Sequence, residues 1–236
     1  AMTYPLVLGL VGSAAIIILM TYVLPKFTVV FADIGVAMPL STRLVMGASE
    51  AVRSFWWLAL IIAGLGWLGF ASYTSRPAGR LRFDGWKLSL PLVGGLIRKS
   101  QAARFTRTLG TLLQSGVPLL QSLEIVRNVI TNSVIARALA SVQQDVSEGK
   151  GLGGPLERTG VFPPMALQMV SVGEETGRLD DMLLIVSEHL EREVANTTTR
   201  LMSMLEPMML LVMGVLTGFI VIAMLSAVFS VNQMAF

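Results

Sequence analysis

PMMLLVMGVLTGFIVIAMLSAVFSVNQMAF, residues 207–236, contains no aspartate, glutamate, lysine, arginine or histidine. A helix needs about 20 apolar residues to cross a hydrocarbon core roughly 30 Å thick, and this run is long enough. Two further charge-free runs, residues 2–25 and 54–75, meet the same requirement. Composition agrees: 53% of the 236 residues are apolar and only 14% are charged, and the mean hydropathy is +0.69, far above a soluble domain of this length. The reading is an all-α, polytopic membrane protein with three transmembrane helices and one cytoplasmic antiparallel bundle of about six helices. The first run lacks a basic leader and an obvious small-residue cleavage site, so it reads as a span and not as a cleaved signal peptide.

The charges orient the spans. Lys26, Arg43 and Arg53 are the only basic residues between the first and second runs, and all the others lie between the second and third. Near the membrane, Arg76, Arg80, Arg82 and Lys87 follow the second run, while Arg192 and Arg200 precede the third. The positive-inside rule then puts residues 76–205 in the cytoplasm, with the N-terminus cytoplasmic and the C-terminus periplasmic. Trp56 and Trp57 open the second span where an outer aromatic belt belongs. The expected partition is a first span over 1–25, a periplasmic loop over 26–53, a second span over 54–75 and a cytoplasmic linker over 76–97. A cytoplasmic helical domain over 98–205, a third span over 206–230 and a periplasmic tail over 231–236 complete it.

When Pro5 is laid on Pro207, Leu8 meets Leu210, Gly12 meets Gly214 and Phe27 meets Phe229, which reads as an internal duplication. Between the second and third spans the periodicity is helical, with no alternating run long enough for a strand. Phe105, Leu109, Leu112 and Leu113 form one face of a helix that stops at Gly116. Pro118 opens the next, whose Leu119, Leu120, Leu123, Val126 and Val129 form a stripe. Asn132 or Ser133 caps a third that runs to Gly149, and Pro163-Pro164 starts another. The last helix begins about Leu179 and meets no breaker until Pro207. It is therefore expected to serve both the cytoplasmic domain and the third span, kinked or interrupted at Glu206-Pro207.

No catalytic constellation is legible. The absence of cysteine excludes disulfides, thiolate metal sites and cysteine nucleophiles. His189, the only histidine, sits among Glu188, Glu191 and Arg192 and reads as a solvated surface residue. The run from Gly151 to Gly154 is followed by Pro155 and by no lysine at phosphate-loop spacing. An intramembrane aspartyl protease or a transporter needs ionisable groups inside the spans, and the third has none after Glu206. Gly9 and Ser13, Ala59 and Ala63, and Gly214 and Gly218 each stand four apart, a spacing that lets helices approach closely within one subunit or between subunits.

The soluble stretch with the most unusual chemistry is VGEETGRLDD, residues 172–181. Glu174 and Glu175 fall near the negative end of one helix dipole, whereas Asp180 and Asp181 open the next helix, where carboxylates are favourable. Three readings offset the first pair: a cap on the following helix or a pairing with Arg104 or Arg107; a partner's basic surface; or a divalent cation. With Gly173 and Gly177, these residues are the candidate partner-binding set. Gly9, Ser13, Glu206, Pro207, Gly214 and Gly218 are the candidate packing and coupling set.

FTRTLGTLLQSGVPL at 105–119, FPP at 162–164, GEETGRL at 173–179 and LEP at 205–207, with Tyr4-Pro5 and Val23-Leu24-Pro25, resemble the inner-membrane platform family of type II secretion systems and type IV pili. The resemblance runs over nearly the whole chain, though Ala227 stands where that family usually carries proline. It implies two homologous cytoplasmic helical domains, each followed by a membrane segment, with the first domain missing from this sequence. It further implies a non-enzymatic platform of the bacterial inner membrane that couples a hexameric secretion ATPase to assembly of a pseudopilus. The implied partners are that ATPase, other inner-membrane assembly-platform subunits, pilin-like subunits, membrane lipid and further copies of the chain. No nucleic acid, cofactor or metal is expected. The ending Val231-Asn-Gln-Met resembles the secretion branch more than the pilus branch. A channel or small-solute transporter is the alternative of another class.

Overall fold

The computed structural model describes residues 3–23, 25 and 40–232. The expectations for Lys26, Phe27 and the last four residues lie outside the described residues. Among those described there is no strand. The helices are α1 (Thr3–Ile18, continued by a π-helical turn at Leu19–Val23), α2 (Leu40–Ser75), α3 (Pro77–Ser89), α4 (Val93–Gln114) and α5 (Leu119–Val129). They continue with α6 (Ser133–Ser147), α7 (Gly153–Arg158), α8 (Pro164–Thr176) and α9 (Leu179–Asn232). Three stretches are long and apolar enough to cross a membrane: Leu6–Val23, Arg43–Ser75 and Leu179–Ser226.

The chain forms two compact units, one of residues 1–68 and 199–236 and the other of residues 69–198. In the first, Val45, Ile220 and Ala223 are buried together, with Ile16, Met20, Met46 and Met224 packed around them. The Ser49 hydroxyl donates to the Met20 carbonyl in the π-helical turn. That bond ties α2 to the irregular turn through a backbone carbonyl, a contact of high value inside a hydrocarbon layer. These contacts explain why α2 begins at Leu40, inside the stretch expected to be a loop. Residues 40–53 are amphipathic, burying Val45 and Ser49 while Arg43, Glu50 and Arg53 stay exposed.

The second unit holds α3 to α8 and the first part of α9. Its core includes Phe105, Leu109, Val126, Ile135, Leu156, Val170, Leu183 and Leu190, with the rings of Phe105 and Phe162 5.0 Å apart. The stripe read on α5 is split: Leu123 and Val126 are buried, but Leu120 and Val129 are exposed. Asn132 is the cap of α6, its side chain accepting from the N–H groups of Val134 and Ile135 at 3.0 and 3.2 Å. The segment expected to be a linker, 76–97, is instead α3 and the first turn of α4, for a reason that lies in Asp84, described below. Pro207 stands inside α9, which continues through it as helix.

Candidate functional site

α8 ends on Gly177, whose backbone is left-handed (φ +69°), a conformation glycine adopts without a Cβ penalty. The Arg178 N–H reaches back to the Gly173 carbonyl at 2.9 Å and closes the turn. Gly173 is buried, and a Cβ there would press on Leu179 and Met182. Its role in the turn is close packing.

Glu174 has a definite partner. Its carboxylate accepts from the backbone N–H of Leu152 at 2.6 Å and of Gly153 at 3.0 Å. Those donors open α7 and lack intrahelical acceptors, so the carboxylate satisfies them and meets the positive end of that helix. Gly151 and Gly153 leave the space it occupies. The charge that was unfavourable at the end of α8 is thus offset by the start of α7, not by the following helix. Arg107 does not reach it: its guanidinium forks onto Glu191 at 2.7 and 3.0 Å. Arg104 is exposed.

Asp181 accepts two hydrogen bonds from Arg178, at 2.7 and 3.0 Å, and Asp180 lies beside it in the first turn of α9. Glu175 is exposed, with no ion-pair partner among the described residues. Asp180 likewise has no ion-pair partner among the described residues but is half-buried, which leaves Glu175 the more accessible of the two. Among the described residues no three His, Cys, Asp or Glu side chains are grouped as a metal could use them.

In the membrane-spanning unit, Gly9 receives the end of the Met209 side chain and Gly12 that of Met213. Ser13 lies in a shallow apolar groove with Leu6, Leu10 and Ile17. A Cβ added at Gly214 or Gly218 would meet nothing within 4 Å among the described residues, so the literal GxxxG pair does not mark a close approach of α9 to α1. Glu206 is half-buried just before Pro207.

One polar cluster escaped the sequence reading. Asp84 on α3 is buried at 3% exposure. Its carboxylate accepts from the Ser133 backbone N–H at 2.8 Å, from the Ser133 hydroxyl at 2.7 Å, and pairs with Lys87 at 2.6 Å. Burial pushes its pKa upward, but the bonds from Lys87 and Ser133 outweigh that and hold it below the ordinary carboxylate range. Beside it, Gln101 accepts from the Thr131 N–H and donates to the Thr131 hydroxyl. The available signal was a lone acid among the bases of residues 76–87, facing an Asn-Ser pair that can begin a helix.

The chain matches the family described as "Type II secretion system (T2SS), protein F" over residues 105–227. It is 39% identical to the type IV pilus assembly protein PilC of Pseudomonas aeruginosa, over 99% of this chain and 63% of that protein. It is also 39% identical to the type II secretion system protein F of the same organism, over 99% of this chain and 58% of the relative. PilC of Thermus thermophilus is 36% identical over 98% of this chain and 57% of its own length. The chain thus spans roughly three-fifths of the relatives it matches. With a match over more than half of its residues, on a helical chain with three spans' worth of apolar helix, the chain belongs to the type II secretion system protein F family.

Proposed function

We propose that the chain acts as an inner-membrane platform of a type II secretion system, coupling a hexameric cytoplasmic ATPase to assembly of a pseudopilus. Family membership, together with a helical domain joined to apolar spans, is the observation that carries this reading. The work is mechanical and not catalytic: ATP chemistry belongs to the partner, and this chain supplies a docking surface and a membrane anchor. Residues 76–205 face the cytoplasm, by the asymmetry of Lys and Arg. Pilin-like subunits, other inner-membrane platform subunits and further copies of the chain complete the assembly. Platform duty in a type IV pilus is the second reading, because the pilus and secretion relatives match equally at 39% identity.

The exposed Glu175, beside a turn fixed by Gly177 and Glu174, is the contact proposed for the ATPase. Tagged chain recovered from membranes of a secreting host should bring down the ATPase and a pilin-like subunit. Glu175→Lys should lose the ATPase and secretion while its helical content is unchanged. Recovery of neither partner by the unaltered chain would remove the platform reading. A Glu175→Lys variant that secretes normally would remove Glu175 from the contact.

A further inference from the structure

α3 begins two residues after α2 ends and folds back onto its last turns, residues 70–75. A Cβ at Gly79 would collide with the Tyr73 carbonyl, so only glycine lets the two helices approach so closely there. Phe83 of α3 meets Phe70 of α2 edge-on at 5.0 Å between ring centroids, and Trp86 stacks on Phe83 at 6.1 Å. Phe70 lies within the last turns of the apolar stretch Arg43–Ser75, about 8 Å of helix from its end. The aromatic contacts therefore hold α3 beside the last turns of α2, at the end of a stretch apolar enough to be a span.

The two sides of α3 differ. Asp84 and Leu88 are buried against the bundle. Arg82 and Trp86, one turn apart, share the opposite side and are both exposed, Trp86 at 57%. The acid of this helix is already neutralised by Lys87, with Arg80 4.0 Å away. Arg76 and Arg82 have no ion-pair partner among the described residues, which leaves a net positive surface. In the turn after α3, Leu92 adopts φ +69°, unusual for a branched residue, and is 76% exposed. The strain is the same in either solvent, but an apolar side chain held outward there gains by leaving water for lipid.

We propose that α3 is an interfacial helix on which Arg76 and Arg82 hold the phosphates of anionic phospholipid while Trp86 and Leu92 enter the edge of the acyl region. The chemistry fits a glycerophospholipid bearing net negative charge. Two cations answer the headgroup, and the aromatic and leucine side chains answer the chains below it.

The full chain in nonionic detergent is titrated with brominated phosphatidylglycerol or with brominated phosphatidylcholine of the same acyl chains. The share of tryptophan quenching that disappears in Trp86→Phe reports α3. Half-quenching should need about tenfold to thirtyfold less phosphatidylglycerol, the preference expected of two juxtamembrane cations. Arg76→Gln with Arg82→Gln should bring the ratio to about one with circular dichroism unchanged, and Arg76→Lys with Arg82→Lys should keep it. Equal quenching by the two lipids, or a glutamine variant that retains the preference, overturns the proposal. So does displacement of phosphatidylglycerol by inorganic phosphate at matched concentration, which would make the site one for a free anion.

Discussion

Asp84 and Glu174 perform the same service at different helices: each carboxylate satisfies backbone N–H groups that open a neighbouring helix. Asp84→Ala removes a buried, charged acceptor and leaves the Ser133 N–H and Lys87 without their partner, which should cost about 2 to 3 kcal/mol in thermal unfolding followed by circular dichroism. The pH dependence has a fixed sign. Because the folded state lowers the pKa of Asp84, its contribution is complete above the unfolded value of about 4 and disappears as pH falls through the folded value. The gap between the unaltered chain and Asp84→Asn should therefore be constant near neutrality and shrink below about pH 4; a gap that widens on acidification would contradict the assignment. The sequence alone marked Glu174 as a charge in an unfavourable place. It did not reveal the remedy, because the donors lie at Leu152 and Gly153, across a fold that local spacing cannot show.

At the scale of elements, the long periodic helices were legible and their margins were not. Phe162-Pro-Pro, Gly177 and the run from Leu179 marked α8 and α9 because proline, glycine and a steady 3.6-residue pattern act locally. Residues 40–53 and 76–97 carry too many charges to resemble a buried helix. They become helical through distant partners, Val45 with Ile220 in one case and Asp84 with Ser133 in the other. α9, like α2, carries residues of both units, and we propose it as the element through which force from the proposed ATPase reaches the spans. Pro207 removes one backbone hydrogen bond from that path, and proline costs about 3 kcal/mol relative to alanine inside a helix. Pro207→Ala should raise the unfolding temperature and leave secretion largely intact. Two glycines inserted after Ser203 weaken the helix by about 1 kcal/mol each and shift its register. That insertion should stop secretion while the ATPase still co-purifies; normal secretion by the insertion variant would show that α9 is not the transmitter.

For the whole molecule, the proposed topology rests on where Lys and Arg fall along the chain, and it makes a direct claim about two exposed positions. The chain has no cysteine, so single introduced thiols report without background. In cells with a permeabilised outer membrane, Ala48→Cys should react with a membrane-impermeant maleimide and Ser141→Cys should not. The reverse pattern would invert the orientation. Span number and helical class were readable because hydrocarbon demands a length and a composition, and both are written in sequence. Which helix face meets which was not readable there, since apolar residues alternate with other apolar residues and no polar stripe marks the seam. The seams that do form are made largely of thioethers: Met209 on Gly9, Met213 on Gly12, and Met20, Met46 and Met224 around Val45. Methionine is unbranched and repacks readily, so such a seam can slide without opening a void. The same sulfurs are open to oxidation, and one sulfoxide at Met213 would place a polar oxygen against the Gly12 backbone. An oxidant that touches no charged or exposed soluble residue could thus loosen the anchor from within the membrane, and repair would depend on reductases able to reach it there.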